Sequence, residues 1–375
     1  MIEGGLFYRI LKRIKERKDK IRNGGINSIP SPLTRFSNDF IGIEQQKYYI
    51  VTANTKVGKT QIANWLFLYT SILYAYEHPD QIRLKVFYYP LEESKEEVAL
   101  RFLSFALFRL KGIRQAPVDL LSSRNVELSD EIFNILKEHP ELDKLSEFYE
   151  THVEFSSSRN PTGVYNEVKA FMEANGKVHK KKQKITEDGV TKEIEVFDYY
   201  EPNDKDLYTL VLFDHVSLVQ LERSLTLKQS ADKLSEYFVL LRNRYGVTPI
   251  LVQQQVSDKE GLDAFKERKL EPDANGVADT KYTVRDCNCL IGLYSPARHD
   301  IPEYWGYDIT KLRDNCRFLK VIVNRGMPAG GVIGLFFDGA TCTFNELPRP
   351  DSPEMNKVYQ YIDNVINKLI NNLIN

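Results

Sequence analysis

Residues 53–60 carry the clearest chemistry in this chain of 375 residues, because a Gly-Lys-Thr triplet ends a loop between a strand pattern and a helix pattern. Such a loop turns backbone N–H groups toward an anion at the N-terminus of the helix. Lys59 would then reach the β- and γ-phosphates of ATP, and the Thr60 hydroxyl would ligate Mg²⁺. The pattern predicts a nucleotide site formed by Ala53, Asn54, Thr55, Lys56, Val57, Gly58, Lys59 and Thr60.

Two acidic residues follow other strand patterns and suit the same site. Asp214 ends a strand over residues 210–213 and would support the hydrated metal ion as its second protein partner. Glu92 follows a strand over residues 84–89, where a carboxylate would orient or deprotonate an attacking water. A strand-end cap for Asp214 and an ordinary acid of a first helical turn for Glu92 are the alternatives. Combined with the phosphate loop, Asp214 completes a predicted magnesium site.

An amide and a guanidinium are placed to respond to the γ-phosphate. Gln253, Gln254 and Gln255 end a strand pattern, and an amide there would sense whether the γ-phosphate is present. Arg325 stands in a glycine-rich turn after another strand, where it would act as an arginine finger. A polar strand end and a surface turn are the alternatives for these two features.

The elements that position these residues alternate between strand and helix patterns, which predicts a mainly parallel α/β sheet. Consecutive strands late in the chain, over residues 289–294, 319–323 and 332–344, predict an antiparallel edge. Residues 176–206 interrupt the alternation, and their Asp-Gly pair between β-formers predicts an inserted surface hairpin. Its lysines would face solvent or nucleic acid. The helical pattern of residues 354–374 would pack on its own core or bind a loader or primase.

The charge is balanced overall but concentrated at one end. Lys and Arg number 51 and Asp and Glu 52, which argues against a protein whose whole surface binds nucleic acid. Residues 9–22 contain eight basic and two acidic side chains, a net charge of +6 that leaves −7 for the remainder. Apolar residues recur at helical spacing in the same segment. The pattern predicts a basic amphipathic helix that buries its stripe on a partner or on the core.

Cysteine and hydropathy patterns bear on the compartment. The four cysteines are too few and too clustered for a disulfide framework, which favours a reducing environment. No apolar run approaches the roughly 18–20 residues that span a bilayer, and the basic N-terminus lacks the apolar region of a secretory signal. We expect no membrane partner and a cytoplasmic location, which is the host-cell cytoplasm if the protein is viral.

The order of these motifs resembles the RecA-like ATPase domain of the DnaB-type replicative helicases. Residues 29–33 resemble the family's entry segment, and a phosphate loop that begins with Ala, as at Ala53, is common there. Residues 90–94 resemble its Ser-Leu-Glu-Met-Ser segment, and residues 213–215 resemble its Walker B motif. Residues 324–330 resemble its arginine-containing turn. The resemblance extends over most of the chain.

The resemblance implies an architecture and a role for each site residue. It implies a RecA-like P-loop NTPase core over residues 26–347, with helical extensions over residues 1–25 and 348–375. Glu92 would be the catalytic carboxylate, and Arg325 would complete the nucleotide site of a neighbouring subunit. Gln255 would couple the γ-phosphate to DNA-facing loops, with Gln254 in that role if the register is shifted by one.

The implied activity is that of an ATP- and Mg²⁺-dependent DNA helicase, a hexameric ring that moves 5′→3′ on single-stranded DNA to open a forked duplex during replication. A loader or primase would be a further partner, and the helix within residues 1–25 would dock on the next subunit. The DNA-facing loops would be residues 220–230 and 256–280. Their basic side chains are Arg223, Lys228, Lys259, Lys266, Arg268 and Lys269.

Two departures from the family pattern keep other functions open. Val323 stands where the family places a Lys two positions before the finger. The family's N-terminal helical domain has no counterpart, which would be typical of a virus or mobile element. A RecA-like DNA-dependent ATPase that does not unwind, such as a loader, recombination mediator or assembly switch, is the main alternative. A nucleotide-binding structural protein with an inactive site is the third.

Overall fold

The computed structural model describes residues 5–187, 190–256 and 270–374. Over these residues the chain forms one large sheet with apolar clusters on both faces, as the alternation of strand and helix patterns predicts. None of the helices in this part of the chain combines the length and apolar character needed to cross a membrane.

Helices are numbered here in chain order over the described residues. A π-helical segment, Asn64–Tyr69, joins the second helix to the third, so that one continuous helical element follows the phosphate loop. The helices are α1 Leu6–Arg22, α2 Lys59–Ala63, α3 Thr70–Glu77, α4 Lys95–Lys111, α5 Pro117–Leu120, α6 Asp130–Glu138, α7 Pro140–His152, α8 Pro161–Ala174, α9 Leu227–Tyr245, α10 Tyr282–Asp286, α11 Ile309–Leu312 and α12 Pro353–Ile374.

Strands are numbered in the same way, and the sequence patterns missed the short ones that lie outside the large sheet. They are β1 Ser28–Pro30, β2 Gly42–Glu44, β3 Tyr49–Ala53, β4 Arg83–Pro90, β5 Val153–Phe155, β6 Gly176–Glu187, β7 Val190–Pro202, β8 Leu207–Asp214, β9 Thr248–Gln254, β10 Cys289–Tyr294, β11 Glu303–Tyr304, β12 Tyr307–Asp308, β13 Cys316–Asn324, β14 Val332–Asp338 and β15 Thr343–Glu346.

The large sheet has nine strands in the order β15-β14-β13-β10-β3-β9-β8-β4-β5. The six strands from β10 to β5 are parallel, whereas β13, β14 and β15 are antiparallel. The predicted parallel sheet with an antiparallel edge is therefore confirmed. The parallel strands all end at one side of the sheet, called here the carboxyl edge, and all begin at the opposite side, the amino edge.

Both faces of the parallel strands are buried, because successive side chains point to opposite sides and both sets are apolar. On β3, Val51 and Ala53 join the cluster formed with α2, α3, α4 and α7. Tyr48 and Ile50 join the cluster formed with α8 and α9 on the other face. Burial on both sides leaves polar residues of these strands mainly at the strand ends.

The inserted hairpin is confirmed as β6 and β7, which pair from Gly176↔Pro202 to Glu187↔Val190. Its lysines lie opposite acidic side chains of β7. Lys180 Nζ is 3.6 Å from a carboxylate oxygen of Glu195, and Lys182 Nζ is 3.5 Å from one of Glu193. Because these charges compensate one another, the hairpin presents an ion-paired surface and not a basic one.

The N-terminal amphipathic helix is confirmed as α1, but its apolar stripe is not buried on its own core. No residue of α1 is buried, because the side facing the chain is charged and forms ion pairs with it. The stripe residues have exposed fractions of 42% to 70%: Leu6, Phe7, Ile10, Leu11, Ile14 and Ile21.

The C-terminal helix α12 packs on its own chain over the side chains that are described. Met355 and Ile362 are buried in a third apolar cluster, together with Phe318 of β13 and Leu347. The alternative of a free helix reserved for a partner therefore does not hold for this part of α12.

The turn into β3 depends on Gly42, and its substitution is a test of the fold. A Cβ at Gly42, where φ is +122°, would lie 1.9 Å from the Ile29 carbonyl oxygen. At Gly112, where φ is +66°, a Cβ would meet nothing within 4 Å. We expect Gly42→Ala to lower the free energy of unfolding by about 3 kcal/mol or more, and Gly112→Ala by only about 1 kcal/mol. Equal losses in urea denaturation would contradict the packing described for β1 and β2.

Candidate nucleotide-binding site

The phosphate loop leaves the carboxyl edge at Ala53 and returns as α2. Lys56 and Gly58 have φ of 60° and 105°, so the loop turns through left-handed conformations before the helix begins at Lys59. Glycine adopts this conformation without the strain that a Cβ would introduce. Lys59 and Thr60 are only 8% and 6% exposed. The loop thus places a lysine and a hydroxyl at the N-terminus of a helix, as the sequence predicts.

A buried arginine supports the loop from beneath, and the sequence patterns did not identify it. Arg317 of β13 is 3% exposed, and its Nε donates to the Val57 carbonyl oxygen at 2.7 Å. Its Nη1 donates to the Asp314 carbonyl oxygen at 2.6 Å and to Ser295 Oγ at 3.3 Å. Burial lowers the pKa of Arg317, and the charge of Asp314 opposes this effect. A charged residue inside an apolar strand pattern was the available signal.

Asp214 lies at the end of β8 directly beside the loop. It is 3% exposed, and its carboxylate accepts a hydrogen bond from Thr60 and interacts with the charge of Lys59. Burial, opposed by these two residues, raises the pKa of Asp214 to about 7. Its Oδ1 is buried without a hydrogen-bond partner among the described residues. A buried carboxylate oxygen with free acceptor capacity, next to a threonine hydroxyl, fits the donor set of a hydrated Mg²⁺.

The neighbouring strand β4 contributes the next carboxylate. The Leu91 N–H donates to the Asp214 carbonyl oxygen at 2.7 Å, which holds the chain after β4 against the end of β8. Glu92 follows and is exposed, with a carboxylate oxygen 3.6 Å from Nε2 of the buried His215. Burial is the main cause that lowers the pKa of His215. The geometry therefore brings Glu92 to the same edge as Asp214.

Glu93 is the competing carboxylate in this segment, and the structure gives it another partner. Its side chain forms an ion pair and hydrogen bond with Arg101 of α4. A carboxylate held by a guanidinium is a weak base, because the charge partner favours its ionised form. Of the two neighbouring acids, Glu92 is the one whose ion-pair partner is a histidine and not an arginine.

The glutamines at the end of β9 have three different environments. Gln253 is fully buried. The Gln255 side chain bridges the strand ends, since its Nε2 donates to Thr52 Oγ1 at 3.0 Å and to the Asp273 carbonyl oxygen at 3.1 Å. Gln254 is half-buried, and the alternation along β9 places it on the face that packs against α2. Of the two residues that the resemblance allows as sensor, Gln254 therefore faces the phosphate-loop helix.

Arg325 lies at the amino edge, across the sheet from the phosphate loop of its own chain. β13 runs antiparallel to β10, so Asn324 pairs with Cys289, which in turn pairs with Tyr49 at the start of β3. The length of β3, about 13 Å, separates this level from Ala53. Arg325 is exposed, and its guanidinium donates to the Arg285 carbonyl oxygen. The geometry excludes Arg325 from its own site and leaves it accessible to another molecule.

The position of Val323 and its surroundings bear on the missing lysine. Val323 is partly buried and packs against the apolar cluster under α8 and α9. Arg285 lies next to Arg325 on the surface, and its guanidinium stacks over the Tyr282 ring at 4.4 Å from the centroid. A second exposed cation therefore accompanies Arg325, from a different element than the family pattern suggests.

The first predicted DNA-facing loop, residues 220–230, is shorter than expected. α9 begins at Leu227, so the prediction that the loop extends to residue 230 is wrong. The backbone N–H of the second residue of α8 donates to Glu222 at 2.6 Å, which anchors the loop. Arg223 and Lys228 are both exposed. The loop presents two accessible cations on a fixed base.

The second predicted DNA-facing loop, residues 256–280, is described only at its ends. Its flanks are fixed to the carboxyl edge, because Gln255 and Val277 form an isolated antiparallel bridge. The Val256 N–H also donates to the Gly276 carbonyl oxygen at 2.7 Å. The basic residues that the sequence analysis names here lie outside the described residues: Lys259, Lys266, Arg268 and Lys269.

Comparisons with known proteins identify the fold. No protein-family model matches the sequence, and no curated protein matches it. The chain aligns with a solved ATPase domain of a DnaB-like helicase, with a TM-score of 0.64 and 13% identity, over 92% of this chain and 99% of that one. It aligns with a DnaB-like replicative helicase, described with its interactions with primase, with a TM-score of 0.61 and 12% identity, over 91% of this chain and 66% of that one.

The chain therefore has the RecA-like P-loop ATPase fold of DnaB-like helicase ATPase domains. The fold class that the sequence predicts is confirmed. It spans about two thirds of the second structure's chain, at 66%.

The buried carboxylate of Asp214 makes stability depend on pH. Its pKa is about 7 in the folded chain against an ordinary value of 3.8, so the folded state binds more protons between these values. Stability contributed by the protonated form is therefore lost as pH rises through about 7. Asparagine does not titrate, and we expect the stability advantage of Asp214→Asn to grow between pH 5 and 8 to about 2 kcal/mol or more. A difference in unfolding free energy that stays constant with pH would contradict this assignment.

Proposed function

We propose that the protein is an ATP- and Mg²⁺-dependent DNA helicase that works as a ring on single-stranded DNA during replication. One observation carries the proposal: Lys59, Thr60 and Asp214 are buried together at the carboxyl edge, with Glu92 beside them. This arrangement supports hydrolysis of a nucleoside triphosphate, and the fold of DnaB-like helicase ATPase domains supports a motor as its use.

Each residue has a definite part in the proposed reaction. Lys59 and the loop backbone bind the phosphates, and Thr60 and Asp214 hold the metal, which neutralises phosphate charge when bound. Glu92 orients a water and accepts its proton as the water attacks the γ-phosphate. Gln254 or Gln255 links the occupied site to the loop that starts at residue 256.

A second copy of the chain is needed to complete the site. Arg325 lies at the amino edge, about the length of a strand away from its own phosphate loop, so its guanidinium acts on the nucleotide of a neighbour. Such a head-to-tail contact closes into a ring when its rotation closes. We propose a hexamer, in which α1 docks on the adjacent subunit, and a primase or loader as a further partner.

The proposed DNA contacts are the two loops described above. Arg223 and Lys228 would bind phosphates without sequence preference, and binding would weaken as salt rises. The 5′→3′ direction is part of the proposal. A DNA-dependent ATPase that does not unwind is the second candidate, and it is favoured by Val323, whose packing in the apolar cluster leaves no lysine in the neighbour's site.

A strand-displacement assay tests the function. With ATP and Mg²⁺ at low salt, we expect the chain to separate a forked duplex and its ATPase rate to rise with single-stranded DNA. Glu92→Gln should keep nucleotide binding and lose about 100-fold or more of the hydrolysis rate, because proton acceptance contributes 10²–10⁴-fold. Hydrolysis stimulated by DNA without unwinding would support the second candidate. An unchanged rate in Glu92→Gln would show that another residue activates the water.

Mixing two inactive variants tests whether Arg325 acts between subunits. Lys59→Ala removes the phosphate contact but keeps the finger, and Arg325→Ala does the reverse. If each site combines residues of two chains, an equal mixture should recover about a quarter of the wild-type ATPase rate, since one pairing in four restores both groups. No recovery at any ratio, with mixed assemblies present by mass spectrometry, would contradict a finger supplied by the neighbour.

A further inference from the structure

The inserted hairpin projects from the amino edge of the sheet, and nothing in the proposed reaction uses it. β7 ends at Pro202 and β8 begins at Leu207, so the hairpin leaves the sheet where the parallel strands start. Its base is fixed, because the Tyr200 hydroxyl donates to the Met172 carbonyl oxygen at 2.7 Å. Its lysines are compensated by acids of β7, which removes nucleic acid as the obvious partner.

The hairpin and the turn after it hold α1 through charges. Arg9 lies 3.6 Å from a carboxylate oxygen of Asp198, and its guanidinium is 5.0 Å from the centroid of the Tyr199 ring. Lys205 donates to a Glu16 carboxylate oxygen at 2.7 Å.

Two further pairs extend this contact along the helix. Lys20 forms an ion pair with Asp206, and Arg17 lies 3.9 Å from a carboxylate oxygen of Glu44. The contact therefore runs from Arg9 to Lys20, over most of the length of α1.

This mode of attachment leaves the apolar stripe of α1 free. An amphipathic helix normally places its apolar side on the protein, because burial of apolar surface is favourable. Here the half-buried positions are charged, whereas Phe7 and Ile14 of the stripe are 70% and 55% exposed. A contiguous exposed apolar stripe indicates an interaction site.

A groove elsewhere on the same chain is complementary to this stripe. It has a volume of about 660 Å³ and lies between α4, α7 and the segment after α5. Its floor is apolar and includes Leu103, Leu121 and Phe155. Its lining also includes three acidic residues, Glu96, Glu97 and Glu150, which suit the net charge of +6 on residues 9–22.

We propose that the hairpin and the turn after it form a bracket, residues 198–206, that holds α1 with its apolar stripe outward for the α4–α7 groove of a second copy. The inference rests on the proposed ring and gives the insertion a role in it. A helix held in its binding orientation loses less conformational freedom on docking, so the bracket strengthens assembly without touching the partner.

A charge reversal with a matched control tests the bracket. Asp198 pairs with Lys181 as well as with Arg9, whereas Glu193 on the same strand pairs with Lys182 and not with α1. We expect Asp198→Lys to weaken ATP-dependent assembly by several-fold to about tenfold in sedimentation velocity, and Glu193→Lys by less than about twofold.

The reverse exchange restores the pair. Adding Arg9→Asp to Asp198→Lys should return assembly to near the wild-type level, because the opposite charges again face each other. Equal weakening by Asp198→Lys and Glu193→Lys, or no rescue by the exchange, would overturn the bracket.

Cross-linking between two chains tests the groove. The native cysteines are all buried, so Phe7→Cys in one chain and Leu121→Cys in another provide one accessible thiol each. A mixture should form a disulfide-linked dimer on oxidation in the presence of ATP. The control pair, Phe7→Cys with Glu193→Cys, should not. Assemblies that form without the first cross-link would overturn the groove as the acceptor.

The outcomes separate this inference from the proposed function. A wild-type chain that never assembles with ATP and DNA would overturn the ring and the bracket together. Assemblies that respond to Asp198→Lys as expected but do not unwind DNA would overturn the helicase and support the bracket.

Discussion

The site depends on the register of the parallel strands. Ala53 of β3 pairs with Gln254, and Asp214 of β8 pairs with both Val252 and Pro90. Because both faces of these strands are buried, a shift by one residue would turn apolar side chains toward the wrong cluster. The same packing that stabilises the sheet therefore aligns the strand ends. Residues distant in sequence meet at the carboxyl edge without any contact that serves only this purpose.

The aligned edge also concentrates charges that are costly to bury. Lys59, Asp214 and Arg317 are each less than a tenth exposed, and burial raises the pKa of Asp214 and lowers that of Arg317. A buried charge is tolerated when hydrogen bonds and opposite charges offset its desolvation. Arg317 has carbonyl acceptors on the phosphate loop, and Lys59 lies near Asp214. The site is thus organised before any ligand arrives, which is the condition under which fixed charges act strongly on phosphates.

Local patterns predicted the parts of the site that lie next to one another in sequence. The phosphate loop, the Asp at the end of β8 and the order of the strands all follow from spacing and alternation. The support by Arg317 and the distinction between Gln254 and Gln255 did not follow, because they depend on contacts between distant strands. The orientation of α1 was predicted least well. Its periodicity identified the helix, but charge pairs with the hairpin decide which side faces the chain.

The two edges of the sheet divide the proposed reaction between molecules. The parallel strands carry the phosphate loop, Asp214 and Glu92 to the carboxyl edge, and the antiparallel β13 returns Arg325 to the amino edge. The hairpin leaves from that same amino edge. An antiparallel strand beside a parallel sheet therefore separates a finger from its own nucleotide by the width of the sheet. On this geometry the chain is incomplete alone, and assembly becomes a requirement of the chemistry and not an addition to it.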